Sequence, residues 1–226
     1  MPLTVESNIA TTTIHTPIIV NATSLSGKWK IVPWDDATAE KVVDFLKNSS
    51  FEFYSTGTAP SEAVAQKLVY NARARAEAGI PFTRFAVTDI EGNVIGEFAI
   101  GFDDNPRKLQ LAGRGIEQLH GQGIGKEILE WCFTQYIPTL HNKGYRLPVF
   151  ENGQSHLPWE EKRVAEWVDL REVTVVATVH PDYEHGNNLL SKSGFTKVEE
   201  ITKENFEGAH DGRRNVYEIA LATFLK

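Results

Sequence analysis

A chain of 226 residues with 41% hydrophobic and 23% charged residues is an ordinary globule, long enough to bury a core without disulfide or metal support. Its 23 Lys+Arg against 30 Asp+Glu leave a net charge of −7 with no basic block, which speaks against nucleic-acid binding, and no apolar run is long enough to span a membrane. The single cysteine, Cys132, excludes an internal disulfide framework and a Cys-rich zinc site; with no basic, apolar leader at the start, the chain reads as cytoplasmic.

Residues 1–26 read as an extended arm, in which Thr16–Val20 could add an edge strand. The folded domain is expected over residues 27–226. Trp29, Ile31 and Pro33 alternate with Lys30 and Val32, a short strand. Asp35 or Asp36 then caps a helix whose buried face is Ala39, Val42, Val43 and Leu46. Phe51–Pro60 is an aromatic-bearing loop, and Ser61 caps a second helix that runs to Ala78. Phe82–Val87 and Val94–Phe102 flank a Gly-containing turn, which signals a hairpin. Leu109–Ile116 is a strand interrupted by Gly113 and Gly115, which predicts a bulge or a close backbone approach.

The Gly-rich loop 121–125 opens a helix that runs to about Thr139 and buries Ile124, Ile128, Cys132 and Tyr136. Residues 141–170 are an insert with a helix over Pro158–Leu170. Val173–Val179 has the composition of a buried central strand. A short helix over Asn187–Ser193 and closing strands over Phe195–Thr202 and Val216–Phe224 complete the order. The fold class is α+β, a single mixed, mostly antiparallel sheet flanked by helices.

The chemistry gathers at His120-Gly-Gln-Gly-Ile-Gly-Lys126, between a strand and a helix. Glycines let backbone N–H groups approach a ligand, and the helix dipole favours an anion there. A P-loop fails on spacing, because His120 stands where its first Gly belongs and Glu127 follows Lys126. A dinucleotide fingerprint fails too: the third Gly would fall on Lys126 or on Ile128.

The loop instead resembles the acyl-CoA pyrophosphate loop, Q/R-x-x-G-x-G/A, of the GCN-five-related N-acetyltransferases (the GNAT superfamily). Gly123 and Gly125 match its small positions, and His120 stands at the Gln or Arg. A second segment, His180 to Phe195, is similar to H-P-x-N-x-x-S-x-x-x-L-x-K-x-G-F of the ribosomal-protein N-terminal acetyltransferase branch (RimJ/RimL-like). His180, Pro181, Leu190, Lys192, Gly194 and Phe195 match; Tyr183 replaces the Asn and Gly186 the Ser. The resemblance covers about residues 28–224 once the insert is set aside.

It implies an acyl-CoA N-acyltransferase fold and acetyl transfer from acetyl-CoA to a primary amine, either a peptide N-terminus or a small amine, by direct attack. It also implies cofactor contacts from Ile116 and Gln118 at the strand end, and from His120, Gly121, Gln122, Gly123, Ile124, Gly125 and Lys126 along the loop. Tyr183, Asn187 and Lys192 would add contacts from the second segment. Lys126 is either a phosphate contact or a solvated lysine, and His120 either binds phosphate or packs at the loop edge.

The attacking amine must lose a proton. Glu117 is the first candidate base and Glu97 the second, with an outward-facing strand residue as its plain alternative. Neither proton donor usual in the family is present: Leu190 stands at the Tyr and Gly186 at the Ser; Tyr183 is an available donor but at the wrong position, and aromatic packing near the pantetheine is its plainer role. No His/Cys spacing predicts a metal site, and Cys132 reads as a core residue. Trp159, Trp167, Glu160 and Glu161 of the insert either suit a cationic amine or cover a small core of their own. An insert that builds a homodimer, and an acyl-CoA-binding module without catalysis, are the alternatives.

Overall fold

The computed structural model describes residues 22–23, 27–34, 36–48, 59–77, 80–102, 107–115, 121–151, 163–202 and 212–225. The arm strand expected over Thr16–Val20, the Phe51–Tyr54 part of the aromatic loop, and Ile116, Glu117, Gln118 and His120 lie outside these residues, as do Trp159, Glu160 and Glu161.

Among the described residues, ten strands and five helices follow in chain order: β1 (Ala22–Thr23), β2 (Trp29–Pro33), α1 (Asp36–Asn48), α2 (Glu62–Glu77), β3 (Arg84–Asp89), β4 (Val94–Phe102) and β5 (Lys108–Gly115). Then come α3 (Ile124–Trp131), α4 (Ile137–Asn142), β6 (Arg146–Phe150), β7 (Val164–Asp169), β8 (Thr174–Val179), α5 (Glu184–Lys192), β9 (Thr196–Thr202) and β10 (Arg213–Ala220). Eight strands form one sheet in the order β1-β2-β3-β4-β5-β8-β10-β9. Every neighbour pair is antiparallel except β5 and β8.

Strand alternation sorts the side chains onto two faces. On one face, Val32 and Ala86 pack with Trp34 against Val42, Phe45 and Leu46 of α1 and Ala65, Val69 and Ala72 of α2. On the other, Ile31, Phe85, Phe98, Leu111 and Ala177 meet α3 and α5 through Leu129, Trp131 and Leu190. Tyr136 ties this helical layer to the sheet: its hydroxyl donates to the Pro81 carbonyl at 2.5 Å and its ring stacks on Trp131 at 5.0 Å.

The helix after the Gly loop is longer than its sequence suggests. α3 leads through a π-helical turn, Cys132–Tyr136, straight into α4. Pro138 has no N–H for the carbonyl four residues back, and its ring crowds that carbonyl; the wider turn upstream accommodates both. The helix thus passes Pro138 and ends at Asn142.

The expected helix over Pro158–Leu170 is not formed in its described part. Val164–Asp169 is instead a strand, paired antiparallel with β6 in a two-stranded ribbon. Val164, Trp167 and Val168 mimic helical spacing, but the ribbon buries Val168 against the main core and leaves Trp167 exposed. A 3-10 turn, Leu170–Glu172, follows; Asp169 caps it by accepting from Arg171 N at 2.9 Å, and Arg171 holds that carboxyl well below the usual range. The last strand also starts earlier than expected, at Arg213, and a 3-10 turn takes over from Leu221.

Gly113 and Gly96 mark the close backbone approach. A Cβ at 96 would stand 2.8 Å from the Arg114 carbonyl, and one at 113 would stand 3.3 Å from the Glu97 carbonyl. The β4–β5 register runs unbroken, so there is no bulge.

Candidate active site

The site opens where the two parallel strands part. β5 and β8 pair only from Lys108↔Thr174 to Leu111↔Ala177. Beyond that, Ala112–Gly115 of β5 pairs with β4 alone, and Thr178–Val179 of β8 pairs with β10 alone. Each strand therefore turns one backbone edge towards a gap. The gap is a cavity of about 400 Å³, lined by Gly113–Gly115, Gly121, Gly123–Lys126, Thr178, Val179, Tyr183 and Gly186 among others. Glu97, Ala112 and Arg114 line it from the α1–α2 face, and Phe98 and Leu111 from the α3–α5 face. The cleft thus passes through the sheet.

The Gly loop crosses one mouth of this cleft. Gly121 and Gly123 have φ of 80° and 85°, in the left-handed region where a side chain is strained. A Cβ at either would meet nothing within 4 Å, so the space over the loop is open. Gly123 is the N-cap of α3, and the first helical bond runs from Glu127 N to Gly123 O at 3.1 Å. The amides of Ile124, Gly125 and Lys126 precede that ladder, at the positive end of the helix. Open glycine surface and helix-start amides could hold a pyrophosphate, and an unpaired strand edge could hold an extended amide chain such as the pantetheine of CoA. Gln122 is exposed on the loop, outside the cavity wall.

Tyr183 occupies the other wall. It is half-buried, and burial raises its phenol above the ordinary value, so it is protonated at neutral pH. Its ring lies on Gly186: a Cβ at 186 would stand 2.6 and 2.8 Å from Tyr183 Cδ1 and Cε1, and 2.9 Å from Val179 Cγ1. The two departures from the resembled motif are therefore one exchange, in which the tyrosine ring fills room that a serine side chain would need. Gly186→Ser should lower stability by about 1–3 kcal/mol through overpacking. The double variant Tyr183→Asn/Gly186→Ser should recover part of that loss, since it relieves the ring contacts and leaves the one to Val179, as a thermal-unfolding double-mutant cycle would read.

Asn187 lies behind this wall. Its Nδ2 donates to the carbonyls of His180 (2.9 Å), Pro181 (3.1 Å) and Tyr183 (2.7 Å). Its Oδ1 accepts from Asn215 Nδ2 at 2.8 Å and from the Tyr217 hydroxyl at 2.9 Å. One amide thus fastens the β8–α5 turn, and with it Tyr183, to β10. Asn187→Ala strands several buried polar groups and should cost about 3 kcal/mol in denaturant unfolding. His180 is buried, its Nδ1 accepting from Asp182 N at 3.2 Å, and Lys192 is exposed in the last turn of α5.

Glu97 is no outward-facing residue. It is buried, with Oε1 accepting from Arg114 Nε at 2.5 Å and Oε2 from Arg84 Nη1 at 2.9 Å. The sequence reading missed both arginines. The residue pairs are 13 and 17 positions apart, and only the β3-β4-β5 register brings them together. Burial raises the Cys132 thiol far above its usual range, so it stays a neutral core group. Among the described residues, no three His, Cys, Asp or Glu side chains gather around a possible metal position. No described helix is long and apolar enough to cross a membrane.

No family model and no curated protein matches the sequence. Solved structures do. The ribosomal-protein-S5-alanine acetyltransferase from Vibrio fischeri superposes with a TM-score of 0.58 at 12% identity, over 92% of this chain and all of that one. An acetyl transferase from Salmonella typhimurium that modifies the N-terminal serine of ribosomal protein L7/L12 gives 0.59 at 14% identity, over 85% of this chain and 95% of that one. RimJ from Mycobacterium smegmatis, in complex with a CoA disulfide, gives 0.54 at 15%, over 89% and 86%. The chain therefore has the acyl-CoA N-acyltransferase fold of the GNAT acetyltransferases, RimJ and RimL types among them, with its cleft between the parting strands β5 and β8.

Proposed function

We propose that the protein is an acetyl-CoA-dependent N-acetyltransferase that modifies a primary amine by direct attack. The single observation that carries this reading is the cleft through the sheet, with positive-φ glycines and the start of α3 at one mouth and Tyr183 in its wall. CoA complexes among the similar structures support the co-substrate. Their action on ribosomal-protein N-termini supports a peptide N-terminus as acceptor.

Bound acetyl-CoA would supply the thioester. In this reading Gly121, Gly123 and the first amides of α3, with Lys126 beside them, hold the pyrophosphate. The edge of β5 over Ala112–Gly115 holds the pantetheine. The amine nitrogen bonds to the thioester carbon as the carbon–sulfur bond breaks. Tyr183 gives its phenolic proton to the departing sulfur. The proton lost by the amine goes to Glu117, two residues past the end of β5, because both oxygens of Glu97 already accept from guanidinium groups.

The test is release of CoA thiol from acetyl-CoA in the presence of a panel of peptides and small amines. Amine-dependent release with the acetylated product in the mass spectrum is the expected result. CoA binding by calorimetry with no turnover across the panel would instead establish a binding module without catalysis.

A further inference from the structure

Two guanidinium groups flank one carboxylate on the α1–α2 face, and a third lies near one of them. Arg84 pairs in register with Ala99, Ala86 with Glu97, and Glu97 with Arg114, so all three charged side chains rise from the face that α1 and α2 cover. Both oxygens of Glu97 are taken, by Arg84 and Arg114. Arg84 also lies over the Trp34 ring, 5.7 Å from its centre. Only one of its nitrogens, Nη1, is engaged with Glu97.

Arg75, in the last turn of α2, is the third. The end of α2 is held on the start of β3 by Thr83 Oγ1 donating to Ala72 O at 3.3 Å and Ile80 N donating to Arg75 O at 2.9 Å. Arg75 is half-buried, and no carboxylate among the described residues pairs with it. Burial, and then the charge of Arg84, act against its own charge. Arg84 shares Glu97 with Arg114, and among the described residues Arg75 and Arg84 have no carboxylate of their own; two like charges in a partly desolvated place are costly until an anion arrives.

The cleft leads towards these charges. It reaches the α1–α2 face at Glu97 and Arg114; Arg84 is bonded to Glu97, and Arg75 is close enough to Arg84 to feel its charge. We propose that the acetyl acceptor is an acidic amine, and that Arg75 and Arg84 bind its carboxylate while its amine reaches the cleft. The proposal rests on the acetyl-transfer reading of that cleft. β3 stands two strand spacings, about 9–10 Å, from β5, and an arginine side chain reaches across part of that span, so the carboxylate belongs roughly 5–10 Å from the reacting nitrogen. A peptide with Asp or Glu as its second residue meets that distance; a free acidic amino acid offers the same chemistry over a shorter span.

The experiment compares C-terminally amidated peptides Ser-Glu-Ala-Ala and Ser-Gln-Ala-Ala, with free glutamate and glutamine as the small-molecule arm. The acidic peptide should have a kcat/KM about 10- to 100-fold above its neutral partner, the worth of one charge-assisted contact. Arg75→Met should remove that preference, leave the neutral peptide within about twofold and leave CoA affinity unchanged; Arg75→Lys should keep part of it. A preference confined to glutamate over glutamine would assign the site to a free amino acid. Equal use of the acidic and neutral partners in both arms overturns the proposal, as does an Arg75→Met loss shared equally by both peptides. Peptide binding to the CoA-loaded protein, by calorimetry, separates this from the reaction itself. A Glu-over-Gln preference in binding that disappears in Arg75→Met supports the acidic site even without turnover, whereas turnover of neutral amines alone supports only the transferase.

Discussion

Gly123→Asp should abolish CoA binding while the protein stays folded. Two effects act at that position and can be separated. The backbone at 123 has φ of 85°, which costs about 1 kcal/mol for a residue with a side chain, least for Asn and Asp. Nothing stands within 4 Å of a new Cβ, so sterics add nothing. The carboxylate, however, would occupy the mouth of α3 where a pyrophosphate charge belongs. At about 4–5 Å and an effective dielectric near 20, each like-charge pair costs about 3–4 kcal/mol, a loss of at least about 100-fold in affinity. Gly123→Asn has the same shape and strain without the charge, and should lose no more than about tenfold. Calorimetry with CoA reads the contrast. Equal losses in the two variants would mean that the loop is sensitive to its backbone alone and holds no anion.

The second large effect separates two glutamates. Glu117→Gln should lower kcat by about 100-fold or more, the usual worth of a general base, with unfolding and CoA affinity unchanged. Its residual rate should recover as pH rises through about 8, where a peptide N-terminus loses its own proton and needs no base. Glu97→Gln should behave in the opposite way. It leaves Arg84 and Arg114 facing each other over a neutral amide, and their former partner is 5% exposed. Removing one member of such a buried cluster costs about 3 kcal/mol, seen as a lower denaturation midpoint, with a smaller change in kcat. A large loss of kcat in Glu97→Gln without loss of stability would move the base to that residue.

Much of the fold could be read along the chain because its signals are local. β4 was expected over Val94–Phe102 and is found there, since two β-prone runs around Gly92 leave little choice of register. The glycines before α3 announced a loop whose backbone lies open to a ligand, and two of them take φ of 80° and 85° with open space above them. The ribbon was not legible. A six-residue apolar-polar mixture such as Val164–Asp169 fits either period, and its partner β6 lies across a segment whose pairing no local rule fixes. Pro138 misled for a related reason: it predicts a helix end, whereas the buried Trp131, Tyr136 and Leu140 hold the helix on through a π turn.

At the candidate site the divide is the same. Gly123 and Gly125, at the motif's small positions, line the cavity, and so does Tyr183, at the motif's Asn position; spacing made those positions legible. Asn187 was named as a cofactor contact, and its amide is spent on fastening the turn that presents Tyr183. Arg84 and Arg114 carried no signal at all. An arginine in a strand looks like a solvated residue until the neighbouring strand supplies a buried carboxylate.

A cleft open on both faces of a sheet has a consequence for the order of events. Acetyl-CoA would enter across the Gly loop and the acceptor from the α1–α2 side, so neither has to leave for the other to bind. Double-reciprocal plots at several fixed acceptor concentrations should then intersect instead of running parallel. A single compound that joins the CoA sulfur to an acidic amine through a two-carbon bridge would thread the sheet from one face to the other and compete with both substrates at once.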